Sequence, residues 1–251
     1  MKVATEGCGC FPTGRHYPGI AHLLRTVVRG LVDEVAADAP WNDLEIALLD
    51  VETTGRDAGI DRVIELGIVV GRGGVVIDRK NWLINPGIPI PAQATEVHGI
   101  KDEDVKDAPA FGAVAQDIAQ ALRGRVPAAY NANFDKTFLL SEFARLGAAG
   151  LTGAERLPPG LRRDIEWMDP LVWARELQSD ERSRALGDVA ARLGIELETA
   201  HRASADAEAA LRVLWALGLD PRVPRAYGAL VQEQRRLAFA QADERRMWRK
   251  S

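Results

Sequence analysis

Ile46-Ala47-Leu48-Leu49-Asp50-Val51-Glu52-Thr53-Thr54-Gly55 runs from apolar residues into two carboxylates and a Thr-Thr-Gly turn. Residues 46–51 are short, apolar and bounded by turn residues, which reads as a buried strand. Asp50 and Glu52 stand two apart at its end, so on a strand their side chains share a face. Adjacent carboxylates repel, and burying them without a partner is expensive. A divalent cation relieves that repulsion, and oxygen ligands suit Mg²⁺ or Mn²⁺. The pair alone is a weak signal, because Asp43/Glu45, Asp164/Glu166 and Asp206/Glu208 share its spacing. Only Asp50/Glu52 follows an apolar strand, at the end where α/β sheets place ligands.

Outward from that strand, residues 62–70 and 75–84 read as two more strands. The glycine-rich link Gly71-Arg72-Gly73-Gly74 makes them an antiparallel hairpin. Asn85-Pro86-Gly87 breaks it, and 92–97 reads as one or two helical turns. A helix is predicted over 110–122, a strand over 126–130 and a helix over 134–146. A loop follows over 148–163, then a short fifth strand over 165–168. Helices over 171–178, 186–193 and 204–217 complete the series. The order predicts an α/β fold in three layers, with a five-stranded mixed sheet flanked by helices. Three strands meander and two are added by helical crossovers, which puts the fourth strand beside the first. Before this lies an amphipathic helix over 20–35, ended by Pro40. After it, Pro221 and Pro224 precede a basic helix over about 225–249. The chain therefore divides into an extension (1–40), a main domain (41–220) and a C-terminal helix (221–251).

With 47% hydrophobic and 27% charged residues among 251, the chain is composed like a soluble globular protein, not a disordered or fibrous one. Cys8 and Cys10 are the only cysteines. They support no disulfide framework, and with His16 and His22 they match no common zinc spacing. No apolar run reaches the ~18 residues of a membrane span, and the first residues lack the apolar core of a secretory signal. A cytoplasmic protein is expected. Net charge is −4, from 32 basic and 36 acidic residues. Residues 222–251 hold eight basic and three acidic residues, a net of +5, which leaves −9 for the rest. A local basic segment can bind phosphate where a uniformly acidic surface would repel it.

Two further stations carry carboxylates. Asp135 follows the fourth strand in Tyr130-Asn131-Ala132-Asn133-Phe134-Asp135, where a crossover brings it near Asp50 and Glu52. The plainer account is a helix-entry carboxylate favoured by the helix dipole. His201 lies five residues before Asp206 in His201-Arg202-Ala203-Ser204-Ala205-Asp206, with Asp206 in the first turn of a long helix.

Together these motifs resemble the DEDDh family of 3′→5′ exonucleases, the DnaQ-like branch of the ribonuclease H-like superfamily, and in particular its polymerase-proofreading type. The resemblance covers roughly residues 45–217 and makes 41–220 the exonuclease domain. It rests on Asp50-Val51-Glu52-Thr53-Thr54-Gly55, Arg62-Val63-Ile64-Glu65-Leu66-Gly67, Ile84-Asn85-Pro86 and Val97-His98-Gly99-Ile100. Asn131-Ala132-Asn133-Phe134-Asp135 and His201 to Asp206 follow in the family's order. Tyr130 stands where many proofreading members carry histidine.

The resemblance implies a ribonuclease H-like fold and a site for two divalent ions. Asp50 would bridge both ions, Glu52 and Asp206 would complete the first, and Asp135 would hold the second. His201 would be the general base. It also implies that Glu52, Thr53, Thr54 and Gly55 grip a terminal 3′ nucleotide. His98 and Asn131 are further substrate-contact candidates; His98 equally suits a packing role, and Asn131 is favoured as a loop buttress. Phe134 and the tryptophans read as core. Glu65, inside a buried strand, reads as a hydrogen-bond acceptor and not as a metal ligand. The expected substrate is a nucleic-acid 3′ end, DNA ahead of RNA. The chain would be a separate subunit beside a DNA polymerase or a stand-alone nuclease. A catalytically silent binding module is the alternative, and terminal helices that dock a polymerase or a second copy are compatible with either. The basic tail could bind phosphate backbone, although a solvated helix is the simpler reading.

Overall fold

The computed structural model describes residues 29–148, 157–196 and 202–248. Four strands, β1 (Ile46–Thr53), β2 (Val63–Arg72), β3 (Val75–Leu83) and β4 (Val126–Ala129), form one mixed sheet in the order β3-β2-β1-β4. β1 pairs antiparallel with β2 and parallel with β4. The helices are α1 (Ala92–His98), α2 (Asp102–Val105), α3 (Phe111–Leu122), α4 (Ala132–Ala148), α5 (Pro170–Leu177), α6 (Leu186–Arg192), α7 (Ala203–Leu217) and α8 (Tyr227–Trp248). Single 3-10 turns stand at Trp41–Asp43 and Pro159–Leu161.

Strand periodicity sorts the layers. Ile46, Leu48 and Val69 face a core shared with α5, α6, α7 and α8. Ala47, Leu49, Val51, Leu66 and Ile68 face the opposite core, built with α3 and α4. β1 and β2 are apolar almost throughout because helices cover both of their faces. β3, at the sheet edge, alternates and is largely exposed.

The expected fifth strand is absent among the described residues. Only Met168 makes a parallel bridge, to Ala128 of β4. The flanking donors are spent elsewhere: the Glu166 N–H goes to the Gly30 carbonyl and the Asp169 N–H to Gln234 Oε1. The predicted helix over 20–35 lies mostly outside the described residues. Leu31 and Val35, which are described, sit at bends outside any helix. Gly30 adopts a left-handed φ of 88°, which interrupts a helix there. Leu31 and Val32 are nonetheless buried. The basic helix is no loose arm, since Tyr227, Leu230, Val231 and Leu237 of α8 join the core beside α7.

One glycine sets the spacing between α7 and the sheet. Gly67, opposite Asp50 in the β1–β2 register, faces the N-terminus of α7. A Cβ there would stand 2.4 Å from the Ala203 carbonyl carbon and from the Ser204 nitrogen. Only a residue without a side chain admits this approach, which brings Asp206 to the end of β1. Gly67→Ala is expected to cost about 1–3 kcal/mol through overpacking. Chemical denaturation would measure it, and wild-type stability would show that the contact is looser than described.

Candidate active site

β1 outruns β4, and the overhang builds the site. The parallel ladder ends at Leu49↔Ala129, so Asp50, Val51 and Glu52 extend past the end of β4. The Val51 N–H, left without a strand partner on that side, donates to Asp135 Oδ1 at 3.1 Å. This bond draws the buried Asp135 carboxylate, in the first turn of α4, to the strand end. Asp50 and Glu52 share the other face with Gly67 and Glu65. There α7 delivers Asp206. Carboxylate oxygens of Asp50, Glu52 and Asp206 lie within 4.8 Å of one another, all three side chains being half-buried.

The electrostatics follow from that geometry. Burial, then the Asp135, Glu52 and Asp206 charges, pushes the Asp50 carboxyl well above the ordinary range. Burial and the charges of Asp206 and Glu65 push Glu52 up to about 7. Asp135 is also raised, chiefly by burial, although backbone N–H donors partly offset this. Repelling carboxylate oxygens gathered within ligand distance fit a divalent cation and serve no obvious packing purpose. Asp50, Glu52 and Asp206 could hold one ion, and Asp135 lies where it could help hold a second.

A cavity of about 600 Å³ opens beside these groups, lined by Glu52, Thr53, Thr54, Gly55, His98 and Phe134 among others. Its floor is a knotted turn. Thr54 Oγ donates to Asp61 and accepts the Arg62 N–H at 3.0 Å, and Thr53 Oγ donates to the Gly55 carbonyl. These hydroxyls are engaged in the turn, so the main chain is what the segment offers a ligand. His98 is buried, and its Nδ1 accepts the Ile100 N–H at 3.1 Å. Asn131 lies apart from this cavity. Its side chain is exposed, it lines a different cavity with Tyr130, and its φ of 68° is the only positive value at a non-glycine among the described residues. His201 falls outside the described residues.

Three more carboxylates complete the surroundings, Glu65 and Glu142 buried and Asp169 half-buried. Glu65 has no solvent exposure and accepts from Asn81 Nδ2 (2.8 Å), Arg202 Nη2 (2.9 Å) and the Ala203 N–H (3.2 Å). It clamps the start of α7 to β2. Glu142 accepts two bonds from Arg62 and one from the Val63 N–H, fixing the strand that follows the Thr54 turn. Asp169 accepts from the Asn131, Ala132 and Leu171 N–H groups, which holds the turn leading to Asp135. Sequence reading identified Glu65 as an acceptor and passed over the other two. The Asp169-Pro170 pair, a helix-cap signature, was the available sign for one; Glu142 carried none.

A family model described as "Exonuclease" matches residues 48–214. The PolC-type DNA polymerase III of Oceanobacillus iheyensis is 34% identical over 181 residues, covering 72% of this chain and 12% of that protein. That of Thermotoga maritima is 30% identical over 195 residues, covering 78% and 13%. The chain thus spans about one-eighth of the length of these polymerases. Among solved structures, exonuclease X in complex with 5′ overhanging duplex DNA superposes with a TM-score of 0.56 at 19% identity, over 75% of this chain and 98% of that one. E. coli exonuclease I in complex with an oligonucleotide gives 0.59 at 19%, over 71% and 42%. At that identity the likeness shows the fold.

The raised carboxyls set a pH dependence. In the folded, metal-free protein Glu52 holds its proton up to about pH 7, whereas an unfolded glutamate releases it near 4.5. The folded state therefore binds more protons in that window, and its stability falls as pH rises from about 4.5 to 7. A divalent ion takes the deprotonated site, so it should stabilise more at pH 8 than at pH 5.5. At about 100 times Kd, the thermal midpoint at pH 8 should rise by roughly 5–10 °C. Asp206→Asn should shrink that rise, and equal rises at both pH values would contradict a carboxylate metal site.

Proposed function

Because the chain belongs to the exonuclease family, we propose that it is a metal-dependent nuclease that removes nucleotides one at a time from the 3′ end of DNA. The observation that carries this reading is the gathering of Asp50, Glu52 and Asp206 oxygens within 4.8 Å, with Glu52 also lining a nucleotide-sized cavity. Asp50, Glu52, Asp206 and Asp135 would hold two divalent ions. Such ions lower the pKa of a water and stabilise the leaving oxygen of a phosphodiester.

The remaining work belongs to this chain's own groups. His201, five residues before Asp206, would take the proton of the attacking water. An ordinary histidine pKa near 6.5 suits that task. The cavity lined by Thr53, Thr54, Gly55, His98 and Phe134 would seat the terminal nucleotide. Main-chain groups of the Thr54 turn would read its sugar, and Phe134 would offer a face to its base. A pocket for one terminal residue favours removal from an end over internal cleavage. The polymerase relatives support DNA as the substrate, in proofreading or repair, with a polymerase as a candidate partner.

The test uses 5′-labelled single-stranded DNA and RNA of one sequence, with Mg²⁺, Mn²⁺ or EDTA. The expected result is a ladder shortening from the 3′ end, faster on DNA, that releases nucleoside 5′-monophosphates and stops with EDTA. Asp206→Ala should lower the rate at least about 100-fold, since groups that merely support metal ligands cost that much. Intact oligonucleotides with both metals would overturn the reading.

A further inference from the structure

A second cavity, of about 510 Å³, lies on the other side of the turn between β4 and α4, lined in part by Tyr130, Asn131, Leu171, Arg175 and Arg184. The turn separates the two cavities: Asn131 faces this one, Phe134 faces the one beside Glu52, and Asp135 follows directly. Its charges are arginines. Arg175, on α5, is half-buried and, alone of the two arginines on the cavity wall, makes no hydrogen bond or salt bridge with a described residue. Burial and the Arg245 charge push its guanidinium down from the ordinary value, and Arg184 acts in the same direction. Arg245, near the end of α8, is exposed and in no salt bridge with a described residue. Arg235, Arg236 and Arg246 of the same helix each pair with a carboxylate.

Asp169, the carboxylate whose charge opposes that shift at Arg175, is already committed to three backbone N–H donors. The wall is also held in place. Tyr130 Oη donates to the Arg184 carbonyl at 2.6 Å, and Arg184 Nη2 donates to the Ser179 carbonyl. Converging guanidinium groups cost free energy unless an anion joins them, and their planar forks match phosphate oxygens.

We infer that Arg175, with Arg184 and Arg245, forms a binding site for the phosphodiester backbone of the strand upstream of the bond that is cut. The inference rests on the 3′-exonuclease reading, for a strand whose last nucleotide fills the Glu52 cavity and crosses the Asn131 turn reaches these arginines next.

The experiment measures the Kd of a 12-nucleotide single-stranded DNA across a range of salt, and kcat/KM on that DNA and on a dinucleotide, in the full chain. Arg175→Gln should weaken 12-mer binding about tenfold, the loss of one charged hydrogen-bonding contact. It should also flatten the salt slope by about 0.7, the value for one single-strand phosphate. Preference for the 12-mer over the dinucleotide should fall by a similar factor. Arg175→Lys should recover the salt slope more than the affinity. An unchanged Kd and slope would overturn the site, and so would equal losses on both substrates, which would mark a structural role. If the wild-type chain cuts neither substrate, the exonuclease reading fails. The salt slope of Arg175→Gln then still decides whether the arginines bind phosphate.

Discussion

Everything at this site turns on mutual repulsion among carboxylates that the fold forces together. Asp50 and Glu52 come from one strand, Asp206 from a helix in one layer and Asp135 from a helix in the other. Left to themselves these groups would separate or take up protons. Two contacts hold them. The missing side chain at Gly67 lets α7 touch β2, and the Val51 N–H captures Asp135 where β4 has ended. The Val51 bond relieves Asp135 only in part and the Gly67 contact relieves nothing, so the cost persists in the metal-free protein as raised carboxyl pKa values. A divalent cation bound among these oxygens would remove that cost.

The buried and half-buried acids around this site fall into two chemical kinds, told apart by what meets their oxygens. Glu65, Glu142 and Asp169 are each surrounded by N–H donors, with arginine among them for the first two. Such carboxylates are satisfied, and they organise backbone. Asp50 and Glu52 meet other carboxylates instead. The satisfied acids stand directly behind the repelling ones: Glu65 behind Asp206, and Asp169 behind Asp135. This is how a costly cluster keeps its geometry: Asp206 and Asp135 are each carried by an element that a fully bonded neighbour pins.

Much of this was legible in the sequence because the signals were local. The apolar run into Asp50 and Glu52, the glycine-rich hairpin and the carboxylate opening α4 each needed only a few neighbouring residues. The reading of Glu65 as an acceptor followed from burial alone, and the structure supplies its partners. What stayed hidden depends on contacts distant in sequence. Residues 165–168 have strand character, yet the bonds that deny them a ladder run to Gly30 and Gln234. Glu142 looks like any helical glutamate until Arg62, eighty residues earlier in the chain, reaches it. Arg235 and Arg236 read as solvent-facing basic charge, whereas Arg235 is bound to Glu166 and the Arg29 carbonyl.

The C-terminal helix shows what such distant contacts accomplish. Gln234 accepts the Asp169 N–H at 2.8 Å and donates to the Trp167 carbonyl at 2.8 Å. It thereby fixes the residue whose carboxylate fixes Asn131 and Ala132. Asn131 takes a left-handed conformation that costs energy for any residue other than glycine, and three donors bound to one carboxylate hold the surrounding turn. A line of hydrogen bonds therefore joins α8 to the turn bearing Asp135, through main-chain groups at every step. Gln234 of α8 and Asp135 at the end of β1 are thus joined through one residue, Asp169.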